Sequence, residues 1–123
     1  MAVALGGTAG AGVRWAIVEA FDDASAATGA WPWGVFVANL LGCALLGLAV
    51  TRLRRQPGSI VLGATVGFCG ALTTFSAFAV DAALFLRGDE LLQLVAYLVL
   101  SFGGGAVAYI GARSAGRARE AAT

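Results

Sequence analysis

The side chains that could do chemistry within the apolar parts of this sequence are mostly hydrogen-bond donors and aromatic rings. Phe75 and Phe78 are three residues apart and share a helical face, with Ser76 beside them. Tyr97 and Ser101, four residues apart, share a face in the next apolar stretch. Amides and hydroxyls donate hydrogen bonds, and the edge of an aromatic ring carries positive partial charge. Such donors, with no carboxylate fixed among them, predict a pathway for a small anion.

Two more polar residues lie within apolar stretches. Asn39 has an amide that can donate two hydrogen bonds, although asparagine within a membrane also commonly joins helices. A central arginine costs roughly 2.5–3.5 kcal/mol on insertion scales. We therefore expect Arg14 to face a cavity or a partner, unless its helix begins later and its side chain reaches the interface. Structural alternatives also remain for Phe75 and Phe78 as packing residues, and for Ser101 as a donor to the carbonyl one turn earlier.

Several kinds of active site are excluded by the residues present. The sequence has no histidine, which removes catalytic triads, most zinc sites and the usual base at neutral pH. Ser76 and Ser101 have no base to activate them, so we expect no enzyme. Cys43 and Cys69 lie in apolar segments, where we expect packing residues rather than a disulfide or metal site. A net charge of +1 offers no basic patch for a nucleic acid.

The composition places these residues in a membrane. Of 123 residues, 59% are hydrophobic and 12% are charged, against about 25% charged in a typical soluble domain. The mean hydropathy is +0.85. A soluble domain of this size could not hide so much apolar surface from water. We therefore predict an all-α membrane protein with one domain over residues 1–123, in contact with the lipid bilayer.

Four apolar stretches are candidates for transmembrane helices. A hydrocarbon core of about 30 Å requires about 20 helical residues. The first stretch is the weakest, because glycines and Arg14 interrupt it, and the second opens with Trp31 and Trp33, which suit an interface. The predicted spans cover residues 2–20, 33–51, 59–86 and 91–112, and a polar tail covers residues 113–123.

The third stretch is too long for one straight span. Its 28 residues would extend about 42 Å as a helix at 1.5 Å per residue. Near residues 70–74 its centre contains a glycine followed by two β-branched threonines. A break there would free backbone groups, which a membrane tolerates only where they line water or bind an ion. The alternative is a long tilted helix packed through Gly63 and Gly67.

The arginines predict the orientation of the helices. In a chain with four spans, both termini lie on one side of the membrane. The connecting loops on the opposite side contain one arginine, Arg87, and the first of these loops contains Asp22 and Asp23. The side that holds both termini and the second loop carries six arginines: Arg52, Arg54, Arg55, Arg113, Arg117 and Arg119. This excess predicts a cell-membrane protein with both termini in the cytoplasm.

Three motifs carry a resemblance to a known family. Residues 6–14 read GGTAGAGVR, residues 39–42 read NLLG, and residues 67–78 read GFCGALTTFSAF. In this order they resemble the GGxxGAxxR, NxxG and TTFSTF motifs of the Fluc/CrcB fluoride channels, and the resemblance extends over all four spans. It implies a fluoride-selective channel that exports fluoride passively and lowers its cytoplasmic concentration. It also implies an antiparallel dimer of four-helix subunits, with a broken third helix and two pores at the interface.

The resemblance further implies roles for individual residues. Arg14 would line an aqueous vestibule. The backbone carbonyls of Gly70 and Thr73 from both subunits would hold a structural sodium ion. Residues from three spans would contact fluoride through amide, hydroxyl and ring-edge groups: Asn39, Phe75, Ser76, Phe78, Tyr97 and Ser101.

Two departures from the family pattern concern the same polar track. Ala77 stands where TTFSTF has a threonine, and Gly105 stands where a hydroxyl residue is often found. Both losses could impair one of the two pores. A homodimer with dual topology also needs nearly balanced arginines, which this chain lacks. Our hypothesis is therefore a heterodimer with an oppositely inserted paralogue, and a homodimer is the alternative.

Two other classes of function remain open. A small four-helix multidrug-type transporter has a similar architecture, but its coupling chemistry requires a carboxylate near the middle of the first helix, where this chain has Arg14. A non-conducting membrane assembly subunit would be compatible with the missing hydroxyls. Release of fluoride without chloride from liposomes would distinguish the channel from both.

Overall fold

The structure is a computed structural model that describes residues 1–22 and 31–121. Asp23, in the predicted first loop, lies outside these residues. All regular secondary structure in the described part is helical: α1 (Ala2–Asp22), α2 (Trp33–Arg52), α3 (Gly58–Leu62), a π-helix π1 (Gly63–Cys69), α4 (Gly70–Leu72), α5 (Phe75–Arg87) and α6 (Leu91–Ala121).

Three segments of the described chain are long and apolar enough to cross a membrane. They are Trp33–Arg52, Gly58–Arg87 and Leu91–Arg119. The 21-residue α1 has sufficient length, but its glycines, Arg14 and Glu19 lower its hydropathy, and it is not one of these three segments. The chain is thus an all-helical, multi-pass membrane protein, and the crossing by α1 stays a prediction.

The last helix continues past the end of the predicted span. The sequence predicted a span ending near residue 112 and a polar tail after it, whereas α6 runs through Ala121. Alanine and arginine are among the strongest helix formers, and they make up most of residues 112–121. The part of the tail that the structure describes is therefore helical.

Glycines bring α1 and π1 into backbone contact. A Cβ atom at Gly6 would meet the carbonyl oxygen of Gly63, and one at Gly10 would meet that of Phe68. A Cβ atom at Gly67 would lie 2.6 Å from a carbonyl oxygen of α1. Gly63 and Gly67 thus form a small-xxx-small surface on which α1 packs.

Glycines also hold α2 against α6. A Cβ atom at Gly47 would meet the carbonyl oxygen of Tyr109, and one at Gly116 would meet the hydroxyl of Thr51. These contacts advance along both helices in the same direction, so the C-terminal ends of α2 and α6 lie together.

The N-terminus lies at this same end. The carbonyl oxygen of Ala2 would lie 3.0 Å from a Cβ atom at Gly63. Gly63 is near the start of the segment Gly58–Arg87, which follows α2. Both ends of the described chain and the connection from α2 to α3 therefore share one end of the helical bundle.

Aromatic rings form the core near the opposite end. Tyr97 is fully buried, and its ring centroid lies 5.0 Å from that of Phe78 and 5.7 Å from that of Phe85. Trp31 packs edge-on against Tyr97, with their centroids 5.4 Å apart. The sequence suggested an interfacial position for both tryptophans. Trp33 is 48% exposed, whereas Trp31 packs into this aromatic cluster.

Candidate functional site

Two threonines interrupt the helical path between α4 and α5. Thr73 has φ −81° and ψ 151°, and Thr74 has φ −142° and ψ 118°, so both have extended backbones. The hydroxyl of Thr74 accepts a hydrogen bond from the N–H of Ala77 at 3.3 Å. Threonine is a favoured N-cap because its oxygen satisfies an amide of the first helical turn. Thr74 therefore begins α5 at Phe75.

Asn39 of α2 bonds to the backbone that this interruption exposes. Its Nδ2 donates to the carbonyl oxygen of Thr74 at 3.1 Å, and its Oδ1 accepts from the N–H of Thr74 at 2.7 Å. In a continuous α-helix the N–H of Thr74 would donate to the carbonyl of Gly70. Asn39 therefore replaces a helical hydrogen bond, releases the Gly70 carbonyl from that bond and ties α2 to the interruption.

A groove of about 340 Å³ opens beside the interruption. Its lining is mainly apolar and also includes Thr65, Thr74, Phe102 and both cysteines. It brings together most of the site residues predicted from the sequence: Asn39, Gly70, Thr73, Phe75, Phe78 and Ser101.

Few hydrogen-bond donors in this groove are available to a ligand. The hydroxyls of Thr65 and Thr73 donate to backbone carbonyls four residues earlier in the chain, at 2.7 and 3.1 Å. The hydroxyl of Ser101 is buried and has no partner among the described residues. The Nδ2 of Asn39 has a second N–H beyond the one given to Thr74. Ser101 and Asn39 thus supply donors to the groove, whereas the hydroxyl of Thr74 lies 3.2 Å from that of Ser76 and accepts from the N–H of Ala77.

The two phenylalanines of the groove have different surroundings. Their ring centroids lie 5.7 Å apart, at an interplanar angle of 40°. Phe78 is only 7% exposed, because it packs on Tyr97 and Phe102, whereas Phe75 is 74% exposed. The groove is therefore closed on the side of Phe78 and open on the side of Phe75.

The other predicted site residues do not line the groove. Ser76 is exposed, and its hydroxyl lies 3.2 Å from that of Thr74. Tyr97 is buried behind Phe78 and donates its hydroxyl to Oδ2 of Asp81 at 3.1 Å. Within one chain, the predicted track through Ser76, Tyr97 and Ser101 is therefore not one continuous surface.

Arg14 reaches the interruption from α1 and is not one of the residues that line the groove. Its Nη1 donates to the carbonyl oxygen of Thr73 at 3.4 Å, a long hydrogen bond. Arg14 is half-buried, and it contacts a backbone carbonyl at the break.

Sequence reasoning did not count among the site residues three residues that complete the groove. Thr74 bonds to Asn39, and its position before a run of helix-forming residues was a detectable N-cap signal. Phe102 packs edge-on against Phe78. Its position next to Ser101 in the sequence gave no reason to expect this contact. Cys43 occupies the space beside Gly105, where a Cβ atom would lie 3.3 Å from its sulfur.

Backbone carbonyls are the metal-binding groups that this site offers. The described residues hold no cluster of three or more histidine, cysteine, aspartate or glutamate side chains. Hard cations prefer oxygen ligands, and Gly70 and Thr73, whose carbonyls are candidate ligands, both line the groove. These donors fit a sodium ion chemically, although the Thr73 carbonyl also accepts from the cationic Arg14.

The family model and the relatives found by comparison with known proteins indicate the same family. The family model described as "CrcB-like protein, Camphor Resistance (CrcB)" matches residues 1–112. A protein of Hahella chejuensis is 44% identical over 105 residues, which cover 80% of this chain and 79% of the relative. A protein of Bordetella avium is 35% identical over 107 residues, covering 85% and 81%. One of Chloroflexus aurantiacus is 34% identical over 119 residues, covering 89% and 88%.

Each of these relatives is named "Fluoride-specific ion channel FluC". Ion channels are not enzymes, in agreement with the expectation drawn from the missing histidine. The family model and the relatives both extend over most of the sequence, including the interruption and the helices around it. The chain therefore belongs to the CrcB family.

Proposed function

We propose that this chain forms a fluoride-selective channel in the cell membrane, through which fluoride leaves the cytoplasm passively. The observation that carries the proposal is the groove beside the interruption. It joins the free donors of Asn39 and Ser101 to the rings of Phe75 and Phe78. The names of the relatives support fluoride as the ion.

The chemistry of the groove suits a small, strongly hydrated anion. Fluoride loses much hydration free energy when it leaves water, so a pathway must replace its water shell with strong donors. Amide N–H and hydroxyl groups donate hydrogen bonds, and ring edges carry positive partial charge. Arg14 would attract anions toward the vestibule by its charge.

The proposal includes an antiparallel dimer with pores at the subunit interface. Phe75 is 74% exposed on an open groove, so its ring has a free face that a second subunit would cover. The proposal also includes a third transmembrane helix broken at the interruption, supported by the extended torsions of Thr73 and Thr74. The exposed Ser76 would join the polar track where the partner completes it, and the buried Tyr97 would support the track from behind Phe78.

A structural sodium ion at the dimer axis is part of the same proposal. Gly70 and Thr73 would contribute their carbonyls from each subunit. The support is the release of the Gly70 carbonyl from its helical hydrogen bond, since Thr74 bonds to Asn39 instead. The ion would hold two interrupted helices together.

The partner is proposed to be a related chain inserted in the opposite orientation. Six arginines against one favour a single orientation for this chain, with both termini in the cytoplasm. A reporter fused to the C-terminus should give signal from the cytoplasmic side alone. Equal signals from both sides would contradict the heterodimer and favour a homodimer of dual topology.

Efflux from liposomes tests the function itself. Purified protein, alone and together with any oppositely oriented paralogue, is reconstituted in liposomes loaded with fluoride or with chloride. We expect release of fluoride and retention of chloride, with protein-free liposomes retaining both. Absence of fluoride release in every combination would indicate a non-conducting assembly subunit. Proton-coupled uptake of a lipophilic cation would indicate a small multidrug-type transporter.

A further inference from the structure

A second cavity lies at the C-terminal end of α6, on a different part of the bundle from the groove. Its volume is about 350 Å³, and it is lined by Ile110, Arg113, Ser114 and Arg117. These residues stand at positions i, i+3, i+4 and i+7, and so occupy one helical face. The lining combines two guanidinium groups with an apolar side chain, and none of its described residues carries a carboxylate.

Arg113 packs against Tyr109, and its Nε has no hydrogen-bond acceptor among the described residues. Its guanidinium carbon lies 6.0 Å from the centre of the Tyr109 ring, at the limit of a cation–π contact. Its Nε is buried and has no partner among the described residues. A buried donor without an acceptor is costly, so an oxygen ligand at this position would be stabilising. Ser114 donates its hydroxyl to the Gly111 carbonyl at 2.8 Å, which leaves the two arginines as the cavity's donors.

The position of the cavity along α6 matches the depth of lipid headgroups. From Leu91 to Arg113 a helix rises about 33 Å at 1.5 Å per residue, slightly more than a hydrocarbon core of about 30 Å. If α6 enters the hydrocarbon near Leu91, Arg113 therefore emerges at the level of the phosphates.

An apolar stripe leads from the cavity into the membrane. Val99, Val107 and Ile110 lie along the same face of α6 and are 63%, 72% and 63% exposed. Gly103, between them, has no atom within 4 Å of a Cβ position, which leaves the surface open. This face offers an acyl chain a path that ends at the two arginines.

We propose that this cavity binds the phosphate group of an anionic phospholipid, with Arg113 and Arg117 as its donors and the stripe below as the contact for one acyl chain. The guanidinium group pairs readily with phosphate oxygens. The apolar stripe favours a lipid over free phosphate. The inference depends on the chain lying in a membrane, and it is independent of which ion the protein conducts.

Native mass spectrometry of the purified protein with phosphatidylglycerol or phosphatidylcholine tests the proposal. The variant R113Q/R117Q should bind phosphatidylglycerol about 30-fold more weakly, with about a fivefold contribution from each arginine. The control R52Q/R55Q removes two exposed charges from the same end of the bundle but leaves the cavity intact. We expect less than a threefold change in that control (about 0.6 kcal/mol).

Three results would overturn the proposal. They are unchanged binding in R113Q/R117Q, an equal loss in R52Q/R55Q, and an equal affinity of the unmodified protein for the two lipids. Displacement of phosphatidylglycerol by millimolar inorganic phosphate would instead indicate a site for free phosphate. Should R113Q/R117Q fail to give a single peak in size exclusion, R117Q alone replaces only an exposed side chain and should lose about fivefold.

Discussion

The two halves of the segment from Gly58 to Arg87 differ in how they are held. The half before the interruption packs backbone against backbone on α1, because Gly63 and Gly67 place no side chain between the helices. The half after it packs through rings, with Phe78 buried on Tyr97 while the neighbouring Phe75 stays open. The first arrangement tolerates almost no added atom, whereas the second leaves a free face. The rigid half positions the groove, and the open half supplies the groove with a surface for a ligand or partner.

The strongest test of the rigid half is Gly10→Ala. Its Cβ atom would overlap the carbonyl oxygen of Phe68, so α1 would have to move away from π1. We expect a loss of at least about 4 kcal/mol in the free energy of unfolding, in the range that only severe core disruptions reach. Thermal unfolding in detergent and the yield of monodisperse protein measure this effect.

Gly12→Ala is the matched control, because no atom lies within 4 Å of its Cβ position. Alanine is also the better helix former, by about 1 kcal/mol. The control should be neutral or slightly stabilising. Equal destabilisation by both variants would show that the close contact between α1 and π1 is not what limits substitution.

The contrast between the two rings is tested by Phe78→Ala and Phe75→Ala. Truncation of the buried Phe78 should cost about 3 kcal/mol, from lost burial and the cavity it leaves. Truncation of the exposed Phe75 should change the stability of the single chain by less than about 1 kcal/mol. Both should reduce fluoride efflux from liposomes. A Phe75→Ala variant with full efflux would show that the exposed ring is a lipid contact and not part of a pore.

The link between the two halves is tested by Asn39→Ala. The substitution removes both hydrogen bonds to Thr74 and leaves its N–H and carbonyl without these partners, at a cost of about 2 kcal/mol. Fluoride efflux should fall at least tenfold, or about 1.4 kcal/mol in activation free energy. Gln93→Ala, which truncates an exposed amide of α6, should leave both measurements unchanged. Comparable losses in the two variants would contradict a specific role of Asn39.

The smallest expected effect concerns the wall of the groove between α2 and α6. In Gly105→Ser the new Cβ atom would lie 3.3 Å from the sulfur of Cys43, so one of them must shift, at a cost of about 1 kcal/mol. Adding Cys43→Ala should relieve this crowding. A double-mutant cycle of unfolding free energies should therefore show coupling, whereas purely additive effects would contradict the contact.

The sequence was sufficient to predict those structural features that depend on a single physical requirement. An apolar run of about 20 residues suits a helix across lipid, and α2 indeed extends from Trp33 to Arg52. Periodicity also placed Phe75 and Phe78 on one helical face, and their rings lie 5.7 Å apart. It could not distinguish their exposures, because that depends on which helix packs against each ring.

Other features depended on contacts between distant residues. Nothing in the local sequence indicated that both polar atoms of the Asn39 amide would bond to the backbone of Thr74, 35 positions later. The packing of Trp31 into the aromatic cluster likewise depends on the ring of Tyr97, which a neighbouring helix provides. The continuation of α6 past residue 112 could have been predicted from helix propensity, but hydropathy alone ends the span there.

By itself, then, the sequence determined that the chain is an all-helical membrane protein of this family, because hydropathy and ordered motifs are properties of residue order. Only the tertiary structure decided which donors remain free in the groove and which ring stays open. A hydroxyl or amide becomes available to a ligand only when its neighbours have been assigned their own partners. That assignment requires all the helices to be in place.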